Sequence, residues 1–156
     1  MKIAVFAGSF DPVTKGHLDI IKRVLPLFDK VIIAMGINST KKYYFNTEQR
    51  VQFLEATFAA YDKVEVDTYQ KLTAFYCKDR GANFLIRGLR NGTDFDYEKT
   101  ISYLNSSIGE DLETIFLTGD PEYSCFSSTV VREILKGGGV ASLFLPAAVL
   151  PLLPKE

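Results

Sequence analysis

The chain has 156 residues, of which 47% are hydrophobic and 24% are charged, and its formal net charge is −1. The length fits a single domain spanning residues 1–156. The net charge is close to zero, unlike the strongly positive charge that is typical of nucleic-acid-binding proteins. No membrane-spanning run or signal peptide is recognisable, so we expect a cytoplasmic protein that binds neither membranes nor nucleic acid. One histidine and two distant cysteines argue against a structural zinc site.

Apolar runs without alternation, which are typical of strands buried on both faces, recur along the chain. Amphipathic stretches with helical spacing lie between them. The predicted strands cover residues 3–7, 30–35, 64–66, 83–86 and 113–117. The predicted helices are residues 16–27, a helix capped by Asn46 or Thr47, residues 70–80, a longer helix with Tyr97, Ile101, Leu104 and Ile108 on one face, and a helix from Ser127 or Ser128 to Lys136. We expect Leu72, Phe75 and Tyr76 to face inward, residues 87–90 to end the fourth strand, and residues 143–153 to form a short helix or packed tail.

This regular alternation of strand and helix predicts an α/β fold. The expected architecture is a doubly wound, Rossmann-like sheet of five parallel strands with helices on both faces. In such sheets, ligands bind outside the carboxyl ends of the strands. Polar loops follow the strands at residues 8–17, 37–44, 87–94 and 118–128. We therefore expect these four loops to converge on one crevice.

The first loop reads GSFDPVTKGH and ends on His17, the only histidine in the chain. Gly8 and Gly16 would let the backbone come close to a ligand. His17 falls in the first turn of a predicted helix, where the positive end of the helix dipole favours anions and lowers an imidazole pKa. A neutral His17 could donate a hydrogen bond to a phosphate oxygen. A helix-capping or core histidine is about equally compatible with the pattern.

The other loops carry cations and hydroxyl groups. Lys41 and Lys42 follow the second strand, and Arg87 extends the fourth strand with Arg90 three residues later. Two neighbouring guanidinium groups suit phosphate oxygens, although exposed lysines are usually only solvated. The hydroxyl-rich segment 123–129 precedes a helix, so it could be an anion cradle or an ordinary N-cap.

A polar stripe of Glu98, Ser102 and Asn105 lies on the longer predicted helix, and a solvated helix face would explain it as well as a binding role. No covalent nucleophile with an activating base is recognisable. A site that supplies mainly cations and N–H donors suits phosphoryl or nucleotidyl transfer, where positioning and charge stabilisation do most of the catalysis.

Three segments carry a family resemblance. GSFDPVTKGH resembles the (T/S)-F-D-P-x-T-x-G-H signature of phosphopantetheine adenylyltransferases, members of a nucleotidyltransferase superfamily that shares a G-H motif. Residues 86–98, IRGLRNGTDFDYE, resemble the family's I-R-G-L-R-x-x-x-D-F-x-Y-E segment. Residues 123–133, YSCFSSTVVRE, resemble its closing S-S-x-x-V-R-E segment. The resemblance spans nearly the whole chain, and the second segment makes it specific.

The resemblance implies transfer of the adenylyl group of ATP to 4′-phosphopantetheine, which gives dephospho-coenzyme A and pyrophosphate. The attack would be direct and in line, Mg²⁺ would accompany ATP, and the protein would be a homohexamer. By position, the catalytic residues would be His17, Lys41 and Arg90. Phosphopantetheine would contact Ser9, Lys41, Thr73, Arg87 and Asn105. ATP would contact Ser9, Phe10, His17, Gly88, Leu89, Arg90, Glu98, Tyr123, Ser124, Cys125, Phe126, Ser127, Ser128 and Thr129.

The chain departs from the family pattern at several positions. Ser9 replaces the usual threonine but keeps the hydroxyl. Tyr43 and Tyr44 stand where many relatives have a proline, which predicts a different loop shape. Thr73 replaces a commonly apolar residue near the pantetheine arm. Cys125 lies inside the ATP-loop motif, where it would make the site sensitive to oxidants.

Other functions are compatible with the same fold, among them a regulator that binds coenzyme A without turnover. A nucleotidyltransferase of the same superfamily could act on nicotinamide mononucleotide or a polyol phosphate, which the segment 87–98 disfavours. A nucleotide sensor without catalysis could keep the fold, but the complete set of His17, Lys41, Arg87 and Arg90 argues against it.

Overall fold

Five parallel strands form one sheet in a computed structural model that describes residues 1–155. The strand order β3-β2-β1-β4-β5 places β1 at the centre, so that Val5 is paired with Ile32 on one side and Leu85 on the other. This arrangement confirms the predicted doubly wound α/β architecture. The strands are β1 (Ile3–Gly8), β2 (Lys30–Gly36), β3 (Val64–Tyr69), β4 (Phe84–Leu89) and β5 (Glu113–Thr118).

Helices cover both faces of the sheet. Successive residues of the central strand serve opposite faces: Ala4 and Phe6 join one hydrophobic cluster, whereas Val5 and Ala7 join the other. A strand flanked in this way is apolar throughout, which is why its sequence shows no alternation. The helices are α1 (Lys15–Val24), α2 (Thr47–Phe58), α3 (Thr73–Asp79), α4 (Gly92–Ile108) and α5 (Ser128–Lys136). Short 3₁₀ segments cover Leu25–Leu27, Pro121–Tyr123 and Ala147–Leu152.

The helix caps agree with the sequence. Asn46 caps α2 and Ser127 caps α5, each accepting a backbone N–H three residues on. The first helix ends at Val24, earlier than predicted, because the chain tightens to a 3₁₀ turn over Leu25–Leu27, which contains Pro26.

Other predicted boundaries are also wrong. The fourth strand does not end at Ile86 but continues to Leu89, because β5 pairs with it as far as Thr118. The third helix begins at Thr73 and not near residue 70, because β3 extends to Tyr69 beside Gly36. These pairings with neighbouring strands have no local sequence signal.

The predicted inward faces of α3 and α4 are only partly correct. Tyr76 is buried, but Leu72 and Phe75 are exposed. On α4, Tyr97, Leu104 and Ile108 are exposed, and the helix buries Ser102 instead. Within residues 1–155, no helix is long and apolar enough to cross a membrane.

Candidate active site

Two adjoining clefts open at the carboxyl ends of the central strands. The larger has a volume of about 680 Å³ and the smaller about 320 Å³. They share a wall made by Ala7, Gly8, Arg87 and Glu98. Parallel strands bring their carboxyl ends to one edge of the sheet, so the loops after β1, β2 and β4 meet there as predicted.

His17 lines the smaller cleft from the first turn of α1. The backbone N–H of Thr14 donates to His17 Nδ1 at 3.0 Å, and the Thr14 hydroxyl accepts the backbone N–H of His17. Desolvation, followed by the charges of Arg87 and Arg90, lowers the pKa of His17 to about 4. The ring is therefore neutral at pH 7, with its hydrogen on Nε2. His17 thus closes a capping box and also lines the cleft, so its geometry is compatible with both the capping and the functional interpretation.

The ring of Phe10 supports His17 from one side. Phe10 has a φ of 46°, in the left-handed region that non-glycine residues rarely adopt. Its ring meets the imidazole edge-on at a centroid distance of 5.1 Å. A Cβ on Gly8 would lie 3.2 Å from this ring, so a side chain there would displace it. The strained turn therefore fixes an aromatic support beside the histidine.

Arg87 lies between the two clefts and is firmly held. Its Nε donates to Glu98 Oε2 at 2.9 Å and its Nη2 to Glu98 Oε1 at 2.5 Å. Its Nη1 donates to the Ala7 carbonyl at 2.7 Å. A guanidinium has five N–H donors, so two remain for a ligand. This bidentate pair explains how Glu98, predicted as a ligand contact, also positions Arg87.

Two further cations lie at the cleft rims. Lys41 Nζ donates to the Ser9 hydroxyl at 3.3 Å across the larger cleft. Arg90 lines the smaller cleft and pairs with Asp94 in the first turn of α4. Together with Arg87, these residues make both clefts suitable for anions.

The segment 123–129, which leads into the first turn of α5, lines one side of the smaller cleft. Tyr123, Phe126, Ser127, Ser128 and Thr129 line it, together with Gly88 and Leu89 from the end of β4. The Ser128 hydroxyl donates to the Pro12 carbonyl at 2.7 Å, which joins this segment to the first loop. Ser124 and Cys125, which were predicted to contact ATP, are not among the residues that line either cleft, and both are exposed.

Thr73 and Asn105, which the resemblance assigns to phosphopantetheine, line the larger cleft. The Thr73 hydroxyl shares a hydrogen bond of 2.9 Å with the phenol of Tyr69, whose ring stacks on Tyr76. The polar residue at position 73 is therefore satisfied by a partner within the chain, which accounts for a hydroxyl where an apolar side chain was expected.

Sequence reasoning missed several residues that hold the loops. Both carboxylate oxygens of Asp11 accept backbone N–H groups, from Tyr44 at 2.8 Å and from Phe45 at 2.9 Å. Arg132 Nη1 donates to the Asp11 carbonyl at 2.7 Å. Arg50 is buried and donates to the Ser9 carbonyl at 2.8 Å. Asp11 lies within the quoted motif, but its partners are more than 30 residues away, so no local pattern indicates them.

Residues 1–155 contain no group of three or more histidine, cysteine, aspartate or glutamate side chains arranged to hold a metal ion. Among the individual oxygen donors at the clefts, Glu98 is occupied by Arg87 and Asp94 by Arg90.

Comparison with known proteins identifies the family. The Cytidylyltransferase-like family model matches residues 5–134. A phosphopantetheine adenylyltransferase from Leptospira biflexa is 47% identical over 154 residues, which cover 99% of this chain and 96% of that protein. A phosphopantetheine adenylyltransferase from Cytophaga hutchinsonii is 52% identical over 145 residues, covering 93% of this chain and 97% of that one. The chain belongs to the phosphopantetheine adenylyltransferase family.

A solved structure confirms the fold independently of the sequence family. A Vibrio parahaemolyticus protein, crystallised as a candidate nicotinate-nucleotide adenylyltransferase, superposes with a TM-score of 0.75 over 98% of this chain and 92% of that one. The two sequences are only 22% identical, so this likeness concerns the fold alone.

Proposed function

We propose that the protein transfers the adenylyl group of ATP to 4′-phosphopantetheine and so forms dephospho-coenzyme A and pyrophosphate, the penultimate step of coenzyme A biosynthesis. Relatives that match almost end to end carry this activity in their names. The observation that carries the proposal is the pair of clefts that meet at Arg87, with a neutral histidine in one and Lys41 in the other. Two anionic substrates, one bound in each cleft, would have their reacting ends close together beside Arg87.

The proposed reaction is a direct displacement. A phosphate oxygen of phosphopantetheine, held in the larger cleft by Lys41 and the remaining donors of Arg87, attacks the α-phosphorus of ATP in the smaller cleft. The new P–O bond forms as the bond between the α-phosphorus and the bridging oxygen to the β-phosphate breaks, and pyrophosphate leaves with that electron pair. His17 Nε2–H stabilises the negative charge that grows on the α-phosphate oxygens, with Arg90 beside it.

The remaining residues would bind the two substrates without entering the bond changes. Ser9, Thr73 and Asn105 are proposed to contact phosphopantetheine. The ATP contacts are proposed to come from Ser9, Phe10, Gly88, Leu89, Glu98, Tyr123, Ser124, Cys125, Phe126, Ser127, Ser128 and Thr129. The segment 123–129 suits a triphosphate, since Ser127 and the free N–H groups that begin α5 present donors to the cleft.

Mg²⁺ is proposed as the accompanying cofactor, bound with the triphosphate of ATP. When bound, it would neutralise part of the phosphate charge and polarise the leaving pyrophosphate. A homohexamer in the cytoplasm is proposed from the family resemblance.

Pyrophosphate release tests the proposed function. Purified protein is incubated with ATP and Mg²⁺ plus either 4′-phosphopantetheine or nicotinamide mononucleotide, and dephospho-coenzyme A is identified by mass spectrometry. We expect turnover only with phosphopantetheine, and a loss of about 10²-fold or more in kcat for H17A with smaller changes in substrate affinity. Turnover only with the mononucleotide would overturn the substrate assignment, and ATP binding without pyrophosphate release would favour a sensor.

A further inference from the structure

Arg50, near the start of α2, is 1% exposed and makes no ion pair within residues 1–155. Its Nη1 donates to the Ser9 carbonyl at 2.8 Å, while its buried Nε has no hydrogen-bond partner in the described part of the chain. A buried cation that lacks a carboxylate partner is costly, so its environment must compensate in another way.

The ring of Tyr43 supplies that compensation. The guanidinium carbon of Arg50 lies 3.8 Å from the centroid of the Tyr43 ring, a close cation–π contact. Tyr43 lines the larger cleft, and its hydroxyl oxygen accepts the backbone N–H of Asn38 at 3.3 Å. The ring is therefore held at both its face and its hydroxyl.

These contacts connect the residues at the end of the larger cleft where Ser9 and Lys41 lie. Arg50 holds the carbonyl of Ser9, and Lys41 holds the hydroxyl of the same residue at 3.3 Å. Lys41 lies two residues before Tyr43, and its Nζ is 5.4 Å from the centroid of the Tyr43 ring. The Arg50 side chain of α2 thus links the loop after β1 to the loop after β2.

We propose that the stacked pair of Tyr43 and Arg50 is a positioning device that fixes Lys41 and Ser9 for the phosphate of the acceptor substrate. Neither member of the pair needs to touch the substrate. Arg50 fixes the backbone of Ser9, and the Tyr43 ring fixes the turn that carries Lys41. The identity of that phosphate rests on the proposed function, but the positioning itself rests only on the contacts within the chain.

Substitutions at Tyr43 test the proposal without disturbing a fully buried side chain. Y43L removes the aromatic face, whereas Y43F keeps the face and loses only the hydroxyl. Y44L is the matched control, because Tyr44 is the adjacent tyrosine, is exposed and lines neither cleft. In steady-state kinetics we expect Y43L to raise KM for phosphopantetheine about fivefold, the order expected for a partly desolvated cation–π contact. The KM for ATP should rise less, because Ser9 is assigned to both substrates but Lys41 only to phosphopantetheine. Y43F should recover most of this loss, and Y44L should show none of it.

Hydrogen–deuterium exchange of the backbone at residues 37–46 separates this inference from the proposed reaction, because it needs no substrate. Y43L, and R50K if it folds, should exchange faster there than the wild type or Y44L. Equal exchange in Y43L and Y44L would overturn the positioning role even if the enzyme is active. Faster exchange in Y43L would support it even if another phosphate ester is the substrate. Equal increases in both KM values, or no rescue by Y43F, would also contradict the proposal.

Discussion

Nδ1 of His17 accepts a backbone N–H, and this single contact sets the chemistry of the ring. A nitrogen that accepts must be unprotonated, so the neutral ring carries its hydrogen on Nε2. Desolvation, Arg87 and Arg90 all oppose a positive charge there. The folded pKa therefore lies below the ordinary value of about 6.5. At neutral pH the residue is a hydrogen-bond donor with no charge, which suits it to respond to charge that grows only in the transition state.

Nuclear magnetic resonance can measure this state directly, because the chain contains one histidine and its imidazole signals cannot overlap with others. We expect a pKa of about 4 and nitrogen shifts of the Nε2–H tautomer. R90M removes one of the nearby cations and should raise the pKa. A midpoint near 6.5, or the Nδ1–H tautomer, would contradict the proposed role.

The same depressed pKa predicts how stability depends on pH. The unfolded chain takes up a proton at His17 near pH 6.5, whereas the folded chain resists it until about pH 4. The contribution to the free energy of unfolding is thus fully present above pH 6.5 and is lost as the pH falls toward 4. Chemical denaturation of wild type and H17A over this range should show a steeper decline in the wild type, and parallel curves would argue against the lowered pKa.

At the scale of elements, two helices begin with a capping box, but the reciprocal side chain differs between them. Thr14 and His17 form a capping box at α1, and Asn46 and Gln49 form one at α2. Each satisfies backbone donors that the helix leaves unpaired. In α1 the reciprocal partner is the histidine itself, so the cap also fixes the imidazole.

Substituting alanine for each capping residue separates the contribution of the cap to the stability of the protein from its contribution to the position of His17. T14A and N46A should each lower the free energy of unfolding by about 1 kcal/mol in denaturant titrations. Only T14A should also reduce kcat, because only its partner faces the cleft. Comparable kcat losses in both variants would show that a cap acts through stability alone.

The elements also show what the sequence can predict. Strands that are buried on both faces are continuously apolar, so β1 and β2 were predicted nearly in full, and the polar loops after them followed from the topology. The extension of β4 to Leu89 was missed because it depends on pairing with β5, which a local pattern does not contain. The burial of Arg50 was missed for a similar reason. Its carbonyl partner on Ser9 lies 41 residues away, and an arginine on a helix is usually solvated.

At the scale of the whole molecule, α3 and α4 leave an apolar surface uncovered in the single chain. Its large exposed residues are Phe75, Tyr103, Leu104 and Ile108, whereas the exposed side chains of Leu72 and Tyr97 line the larger cleft. The sequence predicts an inward-facing stripe on α4 that includes Leu104 and Ile108, but both side chains are exposed in the single chain. A surface of this kind is typical of a protein–protein interface. The proposed homohexamer supplies a reason for the apolar spacing of α4, because the stripe would then be buried between copies of the chain.

Charge on this surface should separate the subunits. L104E places a carboxylate at a residue that is 54% exposed in the single chain and is not among the residues lining the clefts. Burying an unpaired charge costs several kcal/mol, which is enough to dissociate an interface of moderate stability. Light scattering after size-exclusion chromatography should give six chain masses for the wild type and fewer for L104E. V140E is the control, since Val140 is 80% exposed and lies outside α3 and α4, and it should keep the wild-type mass. If L104E also keeps the mass of six chains, the subunits do not associate through α4, and its apolar stripe needs another partner.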